Sequence, residues 1–489
     1  MNSRRQFIKT SAALAAGLTI IPSRVMGRLK HGAAHIPPSD KLNIAGVGIG
    51  GKGHPNLTGM NTENIVALCD VDWRYAEKCF NDFPKARRYK DWRRMFDELG
   101  RDIDAVMIST PDHTHAVIAA AALSANKHVY CQKPLTHSVH ESRQLTDLAA
   151  RHKVATQMGN QGCSGDGVRQ LCEWLWNGEI GEVREVHAWT NRPLWPQGLQ
   201  RPTAAMKTPS HLDWNLFVGP APMRPYHQVY TPWNWRGWWD FGTGAFGDMA
   251  CHVLDPVYRA LKLQYPDRVQ GSSSAINTES PPQSETVKFS FPARDNLPKV
   301  AMPPADVYWY DGGLLPYRPD ILPDGIDLMR DGLGGCLFVG ARDSLLCDCG
   351  GFNPRLLSGR TPVVPQSLRR IPGATGYHDG YHEQDWIRAC KESPENRTET
   401  AGNFAYAGPF NEMILLGVLA IRLQSLNKTL QWDGSAMKFT NIAPAEELKI
   451  VSDNSFRVID GHPHSEVKYV TLNALQAAEE YIKHTYRPF

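Results

Sequence analysis

At 489 residues the chain is too long for one compact core, so at least two domains are expected. A hydrophobic share of 42% and a charged share of 21% suit a soluble enzyme with real cores. With 53 basic against 50 acidic residues, and no basic run beyond pairs such as Arg87-Arg88 and Arg93-Arg94, nothing recruits nucleic acid.

The chain opens Ser3-Arg4-Arg5-Gln6-Phe7-Ile8-Lys9, followed by the apolar run Thr10 to Ile21. Paired arginines, Phe two residues on and a weakly hydrophobic segment resemble a twin-arginine export signal. The run is too short to span a bilayer of about 30 Å. Residues 1–34 read as signal and linker, with cleavage candidates before Gly27 or around Ala33-Ala34. No second stretch reads as long and apolar enough to span a membrane, so a soluble, periplasmic protein without stable membrane insertion is expected. Folded export suits a protein whose nucleotide must be loaded in the cytoplasm.

Residues 40–160 read as a nucleotide-binding Rossmann domain. Leu42 to Val47 is a short buried-strand pattern running directly into Gly48-x-Gly50-Gly51-x-Gly53. The first glycine makes a tight turn, the second admits a pyrophosphate to the backbone, and the third lets the following helix pack close to the sheet. The helix start then offers free N–H groups to the anion. The next strand, Ile65 to Cys69, ends at Asp70, twenty residues after Gly50. An acid there binds adenosine ribose hydroxyls and disfavours a 2′-phosphate, which points to NAD over NADP, although Arg74 leaves NADP open. A strand over Asp104 to Thr110 leads into Thr110-Pro111-Asp112-His113-Thr114-His115, then a helix from Ala116 to Ala125, the strand His128 to Tyr130, and Gln132-Lys133-Pro134. This alternation gives a doubly wound parallel sheet with ligands at the strand C-termini. His113 and His115 stand at such an end and read as loop histidines lining a nicotinamide site; with no third ligand nearby, no metal site is expected. Asn160 and Gln161, after the strand Ala155 to Met158, are placed to reach substrate or the nicotinamide amide.

Residues 161–435 read as a substrate-binding and oligomerisation domain. Nine of the fourteen tryptophans crowd between Trp174 and Trp239. They serve either core packing or a cleft that stacks flat sugar faces. Arg236, Trp238, Trp239 and Asp240 precede a glycine-rich run, Gly242 to Gly247, and are candidates for that cleft. Asp248 and His252 are four apart, so on a helix they share a face. Asp255, one turn further, is a candidate second partner for His252. Residues 290 to 375 are rich in Pro and Gly and read as loops or an insertion; Met413 to Leu423 reads as a late helix. Tyr377 to Glu383 reads as pocket lining or a helix start. Residues 436–489 form a C-terminal extension. Ten cysteines lie at irregular positions, several in apolar runs, and read as buried thiols without a disulfide framework or zinc site.

The ordered set Gly48–Gly53, Asp70, Thr110 to His115, Lys133-Pro134 and Gly247 to His252 resembles the glucose–fructose oxidoreductase / inositol dehydrogenase family over roughly residues 40 to 435. Gln132 stands where the family usually has Glu. The resemblance implies an α/β fold: an N-terminal Rossmann domain, then an α/β domain whose large open, mainly antiparallel sheet makes a homo-oligomer interface (dimer or tetramer). It implies an NAD-dependent carbohydrate oxidoreductase, with cofactor residues Gly48, Gly50, Gly51, Gly53, Asp70, Thr110, Pro111, His113, His115, Lys133 and Asn160. His252 would be the base, Asp248 would hold the adjacent hydroxyl, and Lys133 would hydrogen-bond the reacting oxygen; Arg236, Trp238 and Trp239 would complete the sugar site. An alternative is an NAD-dependent glycoside hydrolase working by transient C3 oxidation and elimination, with Tyr226, His227 and His211 as candidates for its extra acid/base. Intact cofactor and catalytic motifs argue against a mere sugar-binding protein.

Overall fold

The structure is a computed structural model describing residues 40–318, 320–329, 332–374 and 379–488; the export signal and its linker lie outside them. The apolar runs of the first part form six parallel strands, β1 (Asn43–Val47), β2 (Asn64–Cys69), β3 (Arg87–Tyr89), β4 (Ala105–Ile108), β5 (His128–Cys131) and β6 (Thr156–Met158), in the order β3-β2-β1-β4-β5-β6. Helices α1 (Gly53–Gly59), α2 (Glu77–Asp82), α3 (Trp92–Leu99), α4 (Asp112–Ser124) and α5 (Val139–His152) make the crossovers. Because both faces are covered, β4 is buried at every residue and reads as a continuous apolar run. The strand order reverses between β1 and β4, which places a crevice at their C-terminal ends.

The second sheet has nine strands: β7 (Val183–Thr190), β8 (Arg268–Ser273), β9 (Glu285–Phe291), β10 (Ala305–Tyr310), β11 (Gly334–Gly340), β12 (Ser344–Asp348), β13 (Phe352–Leu356), β14 (Leu430–Asp433) and β15 (Lys438–Phe439). They follow the order β13-β12-β11-β7-β10-β9-β8-β14-β15, with β7–β10 parallel and the other registered pairs antiparallel. Four of these strands fall within 290–375, so the stretch that reads as loops or an insertion carries nearly half the sheet. The Pro/Gly-rich sequence belongs to the connections between β10, β11, β12 and β13.

Helices α6 (Asp166–Trp176), α7 (Trp214–Val218), α8 (Gly244–Val253), α9 (Asp255–Ala260), α10 (Tyr381–Cys390), α11 (Phe404–Arg422) and α12 (Ala474–Ile482) complete the molecule with a long hairpin, β16 (Glu447–Ile459) and β17 (His462–Asn473). Two helices cross the sequence order. Trp386, Ile387 and Ala389 of α10 return to the core under the first sheet, beside Ile44, Leu57 and Met107. By length and composition α11 could cross a membrane, contrary to the expectation that no second stretch would; 83% of its most apolar window is buried inside the protein. It is a core helix, packed on α5, α8 and β8. All ten cysteines are buried.

Candidate active site

The glycine turn is held from three sides. Gly48 has φ +73°, and a Cβ there would lie 2.6 Å from the Ser109 carbonyl carbon and Thr110 nitrogen, both main-chain atoms that cannot yield. Its N–H donates to the Cys69 carbonyl at 2.9 Å. A Cβ on Gly53 would strike the Gly48 carbonyl oxygen, so helix α1 approaches the turn only because that residue is Gly. Asp70 closes the arrangement: its Oδ2 accepts the N–H groups of Ile49 (2.9 Å) and Gly50 (3.0 Å), and its Oδ1 that of Asp72 (2.9 Å). Burial raises the Asp70 carboxyl to about 6 despite those donors. The acid read as a ribose ligand therefore also fastens the turn.

The turn opens on a cavity of about 450 Å³, lined among others by Gly48, Gly50, Gly51, Asp70, Thr110, Pro111, Lys133, Arg236, Asp248 and His252. Helix α8 delivers the last two. Asp248 faces two cations: Lys133 Nζ donates to its Oδ1 at 2.8 Å and to its main-chain oxygen at 2.9 Å, and Arg236 Nε donates to Oδ1 at 3.1 Å. Burial opposes charge on Asp248, but Lys133 and Arg236 outweigh it and hold the carboxyl well below the usual range. His252 Nδ1 lies 2.9 Å from Asn160 Oδ1. Since an amide oxygen only accepts, Nδ1 carries the proton in the neutral ring and Nε2 keeps its lone pair. On the other side of α8, Asp112 Oδ2 accepts the Thr243 N–H (3.1 Å) and hydroxyl (2.9 Å).

The residues fit a dinucleotide. Thr110 Oγ1 is a buried hydroxyl on the cavity wall with no hydrogen-bond partner among the described residues, and behind the wall, beside His252, the buried Asn160 amide nitrogen has none either. Space above Gly50 and Gly51 is closed to side chains by the ring of Tyr75, which lies against both.

Seven expected residues lie off the cavity wall. His113 and His115 belong to α4, which starts at Asp112, and face inward. Each ring has main-chain carbonyls at both nitrogens: Phe241 and Phe217 for His113, Pro134 and Thr110 for His115. Burial lowers both to about 4, so each ring is neutral, donates to one of its two carbonyls and sits in the core rather than on the cavity wall. Trp238 is fully buried, its Nε1 donating to Val229 O at 3.3 Å; Trp239 donates to Asn277 O at 3.2 Å. Neither lines the cavity, because the chain leaves the 3₁₀ turn Asn234–Gly237 in extended conformation at Trp238 and turns into the core. Trp195, Trp233 and Trp235 line it instead, with the Arg236 guanidinium 4.1 and 4.2 Å from the ring centroids of Trp233 and Trp235. Asn160 reaches His252 rather than the wall, while Gln161 lines the cavity. Asp255 bonds Tyr406 and Arg259, and Asp240 pairs with Arg224 instead of facing the cavity.

Other departures concern polar core. Gln132 Nε2 donates to Asn56 Oδ1 (2.9 Å), and Asn56 in turn donates to Glu383 of α10 (2.6 Å), so a carboxylate near position 132 comes from another segment. His382 bonds Ser164 and Met158, away from the cavity, and Tyr377 and His378 lie outside the described residues. Lys52, Tyr75 and Arg192 also line the cavity and have no sequence pattern that marks them.

Comparison with known proteins agrees with this architecture. Residues 41–160 match an oxidoreductase family, NAD-binding Rossmann fold; residues 183–288 match the C-terminal alpha/beta domain of the same family; residues 1–20 match a twin-arginine translocation signal sequence. An inositol 2-dehydrogenase of Salmonella typhimurium is 28% identical over 151 residues, 30% of this chain and 44% of that protein, so the match spans under half of that relative. A glycosyl hydrolase family 109 protein of Shewanella pealeana is 28% identical over 30% of this chain and 37% of its own length. Inositol 2-dehydrogenase 3 of Saccharopolyspora erythraea is 30% identical over 69% of this chain and 98% of that protein. Among solved structures, a WlbA dehydrogenase from Chromobacterium violaceum in complex with NADH and UDP-GlcNAcA superposes with a TM-score of 0.55 at 15% identity, covering 81% of this chain and 97% of that one; this likeness concerns the fold alone. The chain belongs to the glucose–fructose oxidoreductase / inositol dehydrogenase family of oxidoreductases, with that family's NAD-binding Rossmann domain and C-terminal α/β domain behind a twin-arginine signal.

Proposed function

We propose that the protein is a periplasmic, NAD-dependent oxidoreductase that removes hydride from a hydroxyl-bearing carbon of a sugar or glycoside, with a 3-keto sugar as the product. One observation carries this reading: Lys133, Asp248 and His252 converge on the same cavity as the glycine turn, at the switch point of the parallel sheet. Gly48, Gly50, Gly51 and Thr110 hold the dinucleotide, which when bound supplies the hydride acceptor. His252 Nε2 takes the hydroxyl proton as the C–H bond breaks. The Lys133 ammonium, held by Asp248, donates to the reacting oxygen and favours its alkoxide form. Asp248, kept ionised by Lys133 and Arg236, accepts from the neighbouring hydroxyl. The flat faces of Trp195, Trp233 and Trp235 suit the apolar side of a pyranose ring better than a small hydroxy acid. The open face of the nine-stranded sheet serves homo-oligomer assembly in this reading.

Similarity to a glycosyl hydrolase family 109 protein favours a second reading, glycoside cleavage through transient oxidation. It needs a further acid/base at the anomeric carbon. Tyr226 packs in an aromatic cluster against Trp214, and His211 is bound to Asp72 at 2.8 Å; neither they nor His227 line the cavity, which weighs towards the dehydrogenase.

The test is a panel of glycosides incubated with purified protein, following NADH absorbance and analysing products. Keto-sugar formation with matching reduction of the nucleotide is expected; aglycone release without net NADH would overturn the dehydrogenase reading. His252→Ala should lower turnover by roughly 10²–10⁴-fold while leaving NAD affinity near wild type. Collapse of NAD affinity in that variant would remove His252 from the role of base.

A further inference from the structure

A second cavity, of about 730 Å³, lies away from the glycine turn and shares none of the active-site residues. Its walls come from α6, α9, the start of α11 and the segments around 368–369 and 399–403. Four cations line it, Arg169, Arg259, Lys262 and Arg369, against one lining acid, Glu399. Arg369 is engaged by both oxygens of Asp385 at 2.8 Å. The other three are not balanced in this way. Arg169 is 6% exposed, yet it donates to main-chain carbonyls, including those of Cys163 (3.1 Å) and Gly165 (2.8 Å). Lys262 places its ammonium 3.8 Å over the Trp176 ring. Arg259 stacks 3.9 Å over Tyr406, donates to the Ala401 main-chain oxygen at 3.0 Å and pairs with Asp255 at 3.3 Å; these neighbours favour its charge, while its buried Nε donor has no partner among the described residues.

These cations also act on one another. Burial lowers both Arg169 and Lys262, and the charge of Arg259 lowers each further. Bringing like charges around a low-dielectric hollow is unfavourable unless an anion enters it. The aromatic faces of Trp176, Tyr258, Tyr265 and Tyr406 on the same walls accommodate an organic framework beside the charge.

We propose that this cavity is a binding site for a small oxyanion ligand, a phosphate- or carboxylate-bearing molecule, held by Arg259 and Lys262 with Arg169 beneath. Since Asp255 and Arg259 lie on α9, directly after the helix bearing Asp248 and His252, an occupant rests against the back of the catalytic segment.

The experiment measures thermal unfolding of the whole protein saturated with NAD, so that the glycine turn is filled, in inorganic phosphate, citrate or chloride at matched ionic strength. Phosphate, citrate or both should raise the Tm with saturation, beyond chloride; phosphate alone identifies a phosphoester-type ligand and citrate alone a carboxylate. Lys262→Asn, chosen because Lys262 has φ +51° and Asn tolerates that conformation, should weaken the apparent affinity about tenfold. Arg259→Lys, which keeps the charge but loses the Nε donor, should weaken it as well. No shift beyond chloride, or the same saturation curve in both variants as in wild type, would overturn the proposal.

Discussion

Asp112 shows how one buried carboxyl ties the Rossmann sheet to the catalytic helix. It is 3% exposed and accepts two hydrogen bonds from Thr243, the residue ahead of α8. Burial first, then repulsion from Asp248, pushes its pKa up from 3.8 to about 7. Between about pH 4 and 7 the folded chain therefore keeps a proton that the unfolded chain has lost. The sign follows: this group's contribution is full below the unfolded value and is lost as pH rises towards 7. Asp112→Asn retains an acceptor for Thr243 but has no proton to release. In denaturant unfolding at pH 5 and pH 7, wild type should lose stability relative to the variant, by at most ~1.4 kcal/mol per pH unit. His113 and His115, which burial lowers to about 4, act in the opposite direction but are common to both proteins and cancel in the difference. Parallel pH dependences would mean that Asp112 is ionised throughout.

At the scale of elements, what could be read from sequence is what burial writes into it. Parallel strands covered on both faces must be continuous apolar runs, and β1, β2, β4 and β5 are legible for that reason. Asp248 and His252 are legible because their spacing needs only a helix. The histidines were not, because the start of α4 lies at Pro111-Asp112 and not at Ala116, a proline-then-acid signal for a helix N-terminus. Four residues of helix boundary moved both rings from a loop into the core. The tryptophans failed differently: nothing local tells that Trp235 remains on the cavity while Trp238 leaves it, since the decision is made by the backbone after a 3₁₀ turn. Strands β10 to β13 were hidden by the Pro/Gly-rich connections that separate them. The glycine turn itself gives the sharpest test at this scale. Gly48→Ala forces a side chain at φ +73° onto main-chain atoms of β4's exit, whereas Gly50→Ala meets Tyr75, a half-exposed ring that can swing away. Gly48→Ala should cost about 1–3 kcal/mol in denaturant unfolding and at least about tenfold in NAD affinity by calorimetry. Gly50→Ala should unfold much closer to wild type. Equal stability losses for the two would mean that the turn is held by something other than the close approach at Ser109.

At the scale of the whole molecule, the two halves are interlocked. The nucleotide cavity takes its floor from the Rossmann strands and its roof from Trp195, Arg236 and α8 of the second half, while α10 runs back from that half into the first core. A cavity closed by both halves can retain a dinucleotide only when the entire chain has folded. That requirement matches a twin-arginine signal, matched over residues 1–20, because this route moves folded proteins. If the cofactor is loaded before export and cycled in place, protein isolated from the periplasm should hold close to one NAD per chain after extensive dialysis. Replacing both Arg4 and Arg5 by Lys should leave the protein in the cytoplasm with the nucleotide still bound, since nothing in the cavity changes. The measurement is nucleotide released by acid denaturation, counted against protein in each fraction. Nucleotide-free protein in the periplasm, filling only when NAD is added, would show an exchanging cofactor and would rule out a cycle completed on one bound molecule.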